Sequence, residues 1–317
     1  MTLSRCCDAI LCLVLAALVC QPSQSWAWGG EAHRIIALVA DRLLTTGDPP
    51  TEKRIVEILA ADKSNSWTTT DIAGEATWAD ALREKSPEGR LATSKWHYVE
   101  LDADNPDLQK ACFGRPALLA STPASHGPQD ACVVDKIEQF TKELREPGIP
   151  MTERLMAVQF LLNLVGDLHD PLLAIKHGDQ SGRCVAVLPP GGKAPVRLSD
   201  YWQEILVAEA EGKDPVKAAD QIAAGLTAAD IRKKSGGTPQ EWAQESYALA
   251  KSVVYRFSTE TAGKFRFPTR KGEAEVCGPI TLYRLDVAYR DSALAAIREQ
   301  LATAGIRLAF LLRENLQ

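Results

Sequence analysis

The residues best equipped for chemistry in this sequence are a tryptophan, a histidine and an aspartate. Trp28 stands directly behind a segment with the features of an export leader: Arg5 in a short polar start, an apolar run from Ala9 to Cys20, then Ser25-Trp26-Ala27 with small residues flanking a cleavage point. Removing residues 1–27 as a signal peptide makes Trp28 the first residue, with a free α-amine five positions before His33. Amine, first carbonyl and imidazole can then converge on one cation. A cut before Cys20, as in a lipoprotein, is disfavoured because Val19 fills a place that demands a small residue. Asp167 is the third member. It sits among Leu155, Val158, Leu161, Leu162, Val165 and Leu168, and a carboxylate there is costly to bury without a cation or a strong donor beside it.

The elements that must position these groups are helical. Ile35, Ile36, Leu38, Val39, Leu43 and Leu44 mark one face of a first helix, and Ile55, Val56, Ile58 and Leu59 mark a second after Pro49-Pro50. Val133 to Leu144 forms another, stopped by Pro147-Gly148. The Leu155–Leu168 segment has too little polar surface to face water and must be central. Tyr201 to Ala210, Trp242 to Phe257 and Ala293 to Leu316 complete the set, and strand-like alternation is confined to Val185 to Leu188. The expected class is all-α. No linker, charge run or repeat divides residues 28–317, so one helical domain with a metal cleft is expected.

Of eight cysteines, four leave with the leader, and Cys112, Cys132, Cys184 and Cys277 remain. An even number in an oxidising compartment predicts two disulfides. Three connectivities are open, of which Cys112–Cys132 with Cys184–Cys277 makes the simplest loops; zinc ligation by these cysteines is opposed by the lack of a closely spaced pair. With the leader gone no stretch is long enough to span a bilayer, which predicts a secreted or periplasmic protein. The net charge of −5 argues against gripping duplex nucleic acid by neutralising many phosphates, but a cation in a cleft supplies charge locally.

Further motifs run in order along the chain: Trp28-Gly29 with His33; Trp78-Ala79-Asp80 with Arg83; Trp96-His97-Tyr98-Val99-Glu100; Gly166-Asp167-Leu168-His169 with Pro171-Leu172; Arg197-Leu198 with Trp202; and Ala304 to Ala309. As an ordered set they resemble the secreted zinc-dependent nucleases of the S1/P1 type, relatives of bacterial zinc phospholipase C. The resemblance implies a mostly helical fold and a three-zinc cleft. Its third zinc site maps onto Trp28, His33 and the bridging Asp167, all present. Its first maps onto Asp80, His97 and Asp167, with Asn163 in place of a second histidine. Asn163 and Asp167 are four apart and share a helix face, so geometry survives while the ligand weakens, because zinc prefers imidazole nitrogen to an amide oxygen. Its second zinc site maps onto Leu173, Ser199 and Gln203, where no imidazole or carboxylate is left. One or two zinc ions are therefore expected rather than three.

The resemblance further implies that Asp80 and Asp167 act in catalysis through the metal, that Arg83 supplies positive charge near the reacting phosphate, and that Tyr98 stacks on a base whose edge Glu100 bonds. His169, His177, Asp179 and Asp200 lie near enough in sequence to be weighed as replacement ligands; His169 matches a position that relatives carry without using. The function so implied is phosphodiester hydrolysis of single-stranded DNA or RNA, or of nucleotides, by a monomer free of membranes, with turnover slowed by the lost zinc. Two alternatives stay open: a catalytically impaired binder of metal or nucleotide, and a zinc phospholipase C.

Overall fold

A computed structural model describes residues 28–63, 67–257, 261–268 and 277–316. The expected signal peptide, residues 1–27, lies outside the described residues. The fold is mostly helical and forms one domain.

Helix Met151–Leu168 has the heaviest burial: every residue from Ala157 to Leu168 is enclosed. Helices Gly30–Gly47, Val133–Leu144 and the long Val287–Asn315 pack against it, each through the apolar positions that the sequence periodicity marks. Asp48 ends the first helix and caps the next, Pro49–Leu59, by accepting from the Thr51 amide, and a proline at the start suits a position with no amide to satisfy.

Phe160 on the buried helix organises what surrounds the site. Trp78, at the start of helix Trp78–Lys85, meets the Phe160 ring edge-on at 5.5 Å, and Trp96, in the 3-10 turn Ser94–His97, does so at 5.3 Å. Phe140 stacks on the same ring at 4.9 Å. Each tryptophan is therefore an apolar anchor, placed two residues before Asp80 and one before His97. Lys136 lies under this group, its Nζ 3.9 Å from the Trp96 ring centre and bonded to the carbonyls of Ala124 and Gly127 and to Gln139. Burial pulls its ammonium down to about 7, with the Glu143 and Asp135 carboxylates opposing.

Beyond His97 the chain runs extended. Val99 and Leu101 donate to the Leu173 and Ala174 carbonyls, and Leu101–Asp102 pairs in parallel with Ile175–Lys176. Val99 and Leu101 are buried while Tyr98 and Glu100 are half-buried, the alternation of a strand with one face to the core.

The expected strand Val185–Leu188 is part of a larger feature: a four-stranded sheet in the order Val196–Arg197, Ala186–Leu188, Ile280–Arg284, Thr261–Phe265, whose two central strands are parallel. The Thr261–Phe265 strand is an exposed edge containing Gly263 and Lys264, so it carries no apolar alternation to announce it. Disulfides join Cys112 to Cys132 and Cys184 to Cys277, the latter fastening the loop ahead of Ala186 to the segment ahead of Ile280. No helix among the described residues is long and apolar enough to cross a membrane.

Candidate metal centre and substrate cavity

Three polar side chains, Gln159, Asn163 and Asp167, recur at four-residue intervals on the buried helix and so share one face. Each is matched from another segment. Gln159 donates to Glu75 at 2.8 Å and Asp62 at 3.0 Å; Asn163 donates to Asp80 and to the Ala76 carbonyl, both at 3.0 Å; Asp167 accepts from His97 Nδ1 at 2.7 Å. The Gln159 rung is absent from the sequence reading, although its spacing from Asn163 was a visible signal.

His33 reaches the same place from the first helix. Its Nε2 is 3.3 Å from Asp167 Oδ1 and 3.7 Å from Asp80 Oδ2. Gly166 permits this approach, since a Cβ there would sit 2.6 Å from His33 Nδ1. Arg83 binds Asp80 from one helical turn away, at 2.6 Å.

The electrostatics follow from burial and pairing. Burial pulls the His33 imidazole down, but the Asp167 and Asp80 carboxylates outweigh it and its pKa is raised. His97 goes the other way, lowered by burial and then by Arg83. Burial alone would raise Asp167; the two histidines hold it well below the usual carboxylate range, so it is charged.

Several buried atoms here have no hydrogen-bond partner among the described residues: His33 Nδ1 and Nε2, His97 Nε2, Asn163 Oδ1, Asp167 Oδ1 and Arg83 Nε. His33 Nε2 and Asp167 Oδ1 face each other at 3.3 Å as an ion pair without an aligned hydrogen bond; buried polar atoms rarely go unmatched, and imidazole nitrogens, an amide oxygen and a carboxylate oxygen without hydrogen bonds are a donor set that suits a divalent cation. They are not drawn to a common point: among the described residues the three ligating atoms that all lie within 4.8 Å of one another belong to Cys112, Cys132 and Asp135, two of which are joined in a disulfide and are lost as ligands.

Trp28 is buried, its indole nitrogen without a hydrogen-bond partner among the described residues, and it lines a cavity of 660 Å³ together with Asp80 and Gln203. Its neighbour Gly29 donates to the Gln203 carbonyl at 3.2 Å, and a Cβ on Gly29 would come within 2.9 Å of that oxygen, so the glycine lets the chain lie close. A second cavity of 340 Å³ is lined by Arg83, Tyr98 and Glu100 and by Leu173, Ser199 and Gln203. Burial raises the Glu100 carboxyl, with Lys176 opposing.

The residues weighed as replacement ligands have other partners. His169 lies between the Val165 carbonyl, 2.7 Å from Nδ1, and Arg307, 2.9 Å from Nε2; burial and then Arg307 bring it down to about 3. His177 stacks on Tyr255 at 4.0 Å, Asp179 accepts from the Tyr255 hydroxyl and the Gly182 amide, and Asp200 accepts from the Ser199 hydroxyl. Gln203, carried by the π-helical turn Tyr201–Ile205, donates to the buried Asp170 at 2.7 Å.

The profile of the S1/P1 Nuclease family matches residues 28–317. The chain belongs to the S1/P1 nuclease family. Endonuclease 1 of Arabidopsis thaliana is 24% identical over 320 residues, covering 95% of this chain and 92% of that protein. Endonuclease 4 of the same plant is 25% identical over 318 residues, covering 94% and 91%. Nuclease S1 of Aspergillus oryzae is 24% identical over 159 residues, half of this chain and 48% of its own length. At such identities S1/P1 membership gives the fold and the nuclease class, and the particular side chains have to be argued from their own surroundings.

Proposed function

We propose that this chain is an exported, zinc-dependent phosphodiesterase that cleaves single-stranded nucleic acid, slowly for its family. One observation carries the reading: His33, His97, Asn163 and Asp167, side chains that meet one another or Asp80 in the buried interior, each keep a buried polar atom without a hydrogen bond. His33, Asp80, His97, Asn163 and Asp167, with the amine and carbonyl of Trp28 once residues 1–27 are removed, would hold one or two ions. Zinc there would lower the pKa of a water and polarise a phosphoryl oxygen.

The chain's own residues do the rest. Asp167, charged and fixed by two histidines, sets the orientation of both imidazoles. Arg83 keeps a guanidinium beside Asp80, where negative charge grows on phosphate during displacement. Tyr98 offers a ring face on the wall of the smaller cavity, and Glu100 an acceptor beyond it; stacking contributes about 1–3 kcal/mol per base without reading sequence. Leu173, Ser199 and Gln203 offer no imidazole or carboxylate to hold a metal at the leaving oxygen, which is the reason to expect reduced turnover.

The test is cleavage of single-stranded DNA by correctly processed protein with zinc, beside an Asp167→Asn control. Zinc-dependent cleavage that the variant lacks supports the reading, and equal, negligible cleavage by both rejects catalysis. The Gln203–Asp170 bond favours a second reading, a metal-holding binder without turnover, because it engages a side chain that would otherwise face a metal there. Bound zinc without cleavage would select it.

A further inference from the structure

The four-stranded sheet and its flanks carry cations and no acids. From Gln180 to Ser199, Thr261 to Pro268 and Cys277 to Leu285 the sequence places Arg183, Lys193, Arg197, Lys264, Arg266 and Arg284 without one Asp or Glu, in a chain of net charge −5. Charge segregated in this way draws a polyanion to one part of the surface. Arg183 and Arg266 have partners of their own, whereas Arg197 and Arg284 pair with no carboxylate among the described residues.

The strand register puts those two arginines on one face. Arg197 pairs with Ala186 and Arg284 with Leu188, and residues two apart on a strand point the same way. Phe265, opposite Ile280, joins this face, because Ile280 and Arg284 alternate in phase on their strand. Val187 and Tyr283, paired on the opposite face, pack in the core, so the arginine face points outward. Arg284 is exposed, and Arg197, Phe265 and Phe267 are half-buried. The Arg197 guanidinium lies 4.7 Å from the Phe267 ring centre, and Phe265 meets Phe267 edge-on at 4.9 Å. A guanidinium laid on a ring keeps the N–H donors at its rim for phosphate oxygens. Two strand spacings, about 10 Å, separate the two arginines across the sheet. The face begins at the smaller cavity, since Ser199, two residues after Arg197, lines that cavity. The Cys184–Cys277 disulfide ties the segments that lead into the two central strands.

We propose that this outward sheet face is an accessory track for single-stranded nucleic acid, holding the backbone of the strand beyond the cavity through Arg197 and Arg284. Arginines set among phenylalanines suit a chain that offers both phosphates and unpaired bases, and charge with stacking needs no particular sequence. Continuity with the cavity wall favours a nucleic-acid strand over an anionic membrane, which needs no such continuity. The track rests on the reading of the chain as a nuclease for single strands, and not on any metal or on a ligand in either cavity.

Fluorescence anisotropy of the folded protein in EDTA with a labelled long oligodeoxythymidine, across a series of salt concentrations, tests it. Arg197→Gln combined with Arg284→Gln should weaken binding about tenfold at about 50 mM salt. It should also reduce the slope of log affinity against log salt by about 1.4, since each phosphate contact to a single strand contributes about 0.7. Arg197→Lys with Arg284→Lys, which keeps both charges, should retain the slope. With zinc, cleavage of a thymidine dinucleotide, too short to reach the face, should be unchanged in the double Gln variant. Wild-type affinity and slope in that variant overturn the track, and so does a loss of dinucleotide cleavage as large as the loss of long-strand binding, which would put the arginines at the cavity. Arginine-dependent binding to phosphatidylserine vesicles, with none to the oligonucleotide, overturns it in favour of a membrane surface. Absence of zinc-dependent cleavage of the long strand, with the expected slopes, removes the nuclease reading alone, whereas cleavage with unchanged slopes removes the track alone.

Discussion

The two sides of the site differ in what their polar atoms have to do. Around Asp167, buried nitrogens and oxygens of His33, His97 and Asn163 are left bare. Around Gln203 the side chains are engaged: Gln203 with Asp170, Ser199 with Asp200, and Leu173 with the core. A bare buried donor set is costly unless a ligand completes it, and a matched one has no need of a ligand. The contrast teaches that losing metal ligands differs from losing a site, because a protein that gives up an ion must also rebuild its hydrogen bonds. In this chain the hydrogen bonds are made on the Gln203 side, while the Asp167 side keeps buried atoms without them among the described residues.

The largest effect that can break the comparison is Asp167→Asn. It removes the carboxylate facing both histidines, and zinc affinity and cleavage should fall by more than the about 100-fold typical of losing a supporting partner. Chelator competition and a single-strand assay read it. Next is Gln203→Asp, which sets a carboxylate against buried Asp170. Without metal the variant should lose on the order of 1–3 kcal/mol of stability, seen in thermal unfolding, and added zinc should restore it. An unchanged melting temperature would mean that the Gln203–Asp170 bond does not matter. Asn163→His sharpens the other side, since imidazole for amide should tighten zinc about tenfold in chelator competition.

A further effect is in pH. Burial raises Asp170 to about 7 from 3.8, with the Gln203 amide opposing. The folded state keeps a proton there that the unfolded chain releases, so this stabilisation is complete below about pH 4 and is lost as pH rises toward 7. Denaturant unfolding of metal-free protein across that interval should show a decline that Asp170→Asn abolishes.

Much of this contrast was legible in the sequence because its chemistry is local. Asp167 among leucines and valines demands a partner wherever the chain folds, and Asn163 shares its face by spacing alone. The helices from Gly30 to Gly47 and from Met151 to Leu168 follow from apolar periodicity. What sequence could not give comes from distant pairing. Gln159 gains meaning only from Glu75 and Asp62, which arrive from other segments, and Gln203 meets Asp170 from 33 positions away. The edge strand Thr261–Phe265 is stabilised by its neighbour and not by its own composition. The cysteines allowed three pairings, and the fold chose the pair that closes the shorter loops.

The central claim is that one half of the site still takes metal and the other does not. Elemental analysis of folded protein, with Trp28 verified as its first residue by mass spectrometry, tests this most directly. One or two zinc ions per chain, diminished in Asp167→Asn, are the expected result. A well-folded, correctly trimmed chain that holds no zinc, or one that holds three, would contradict it.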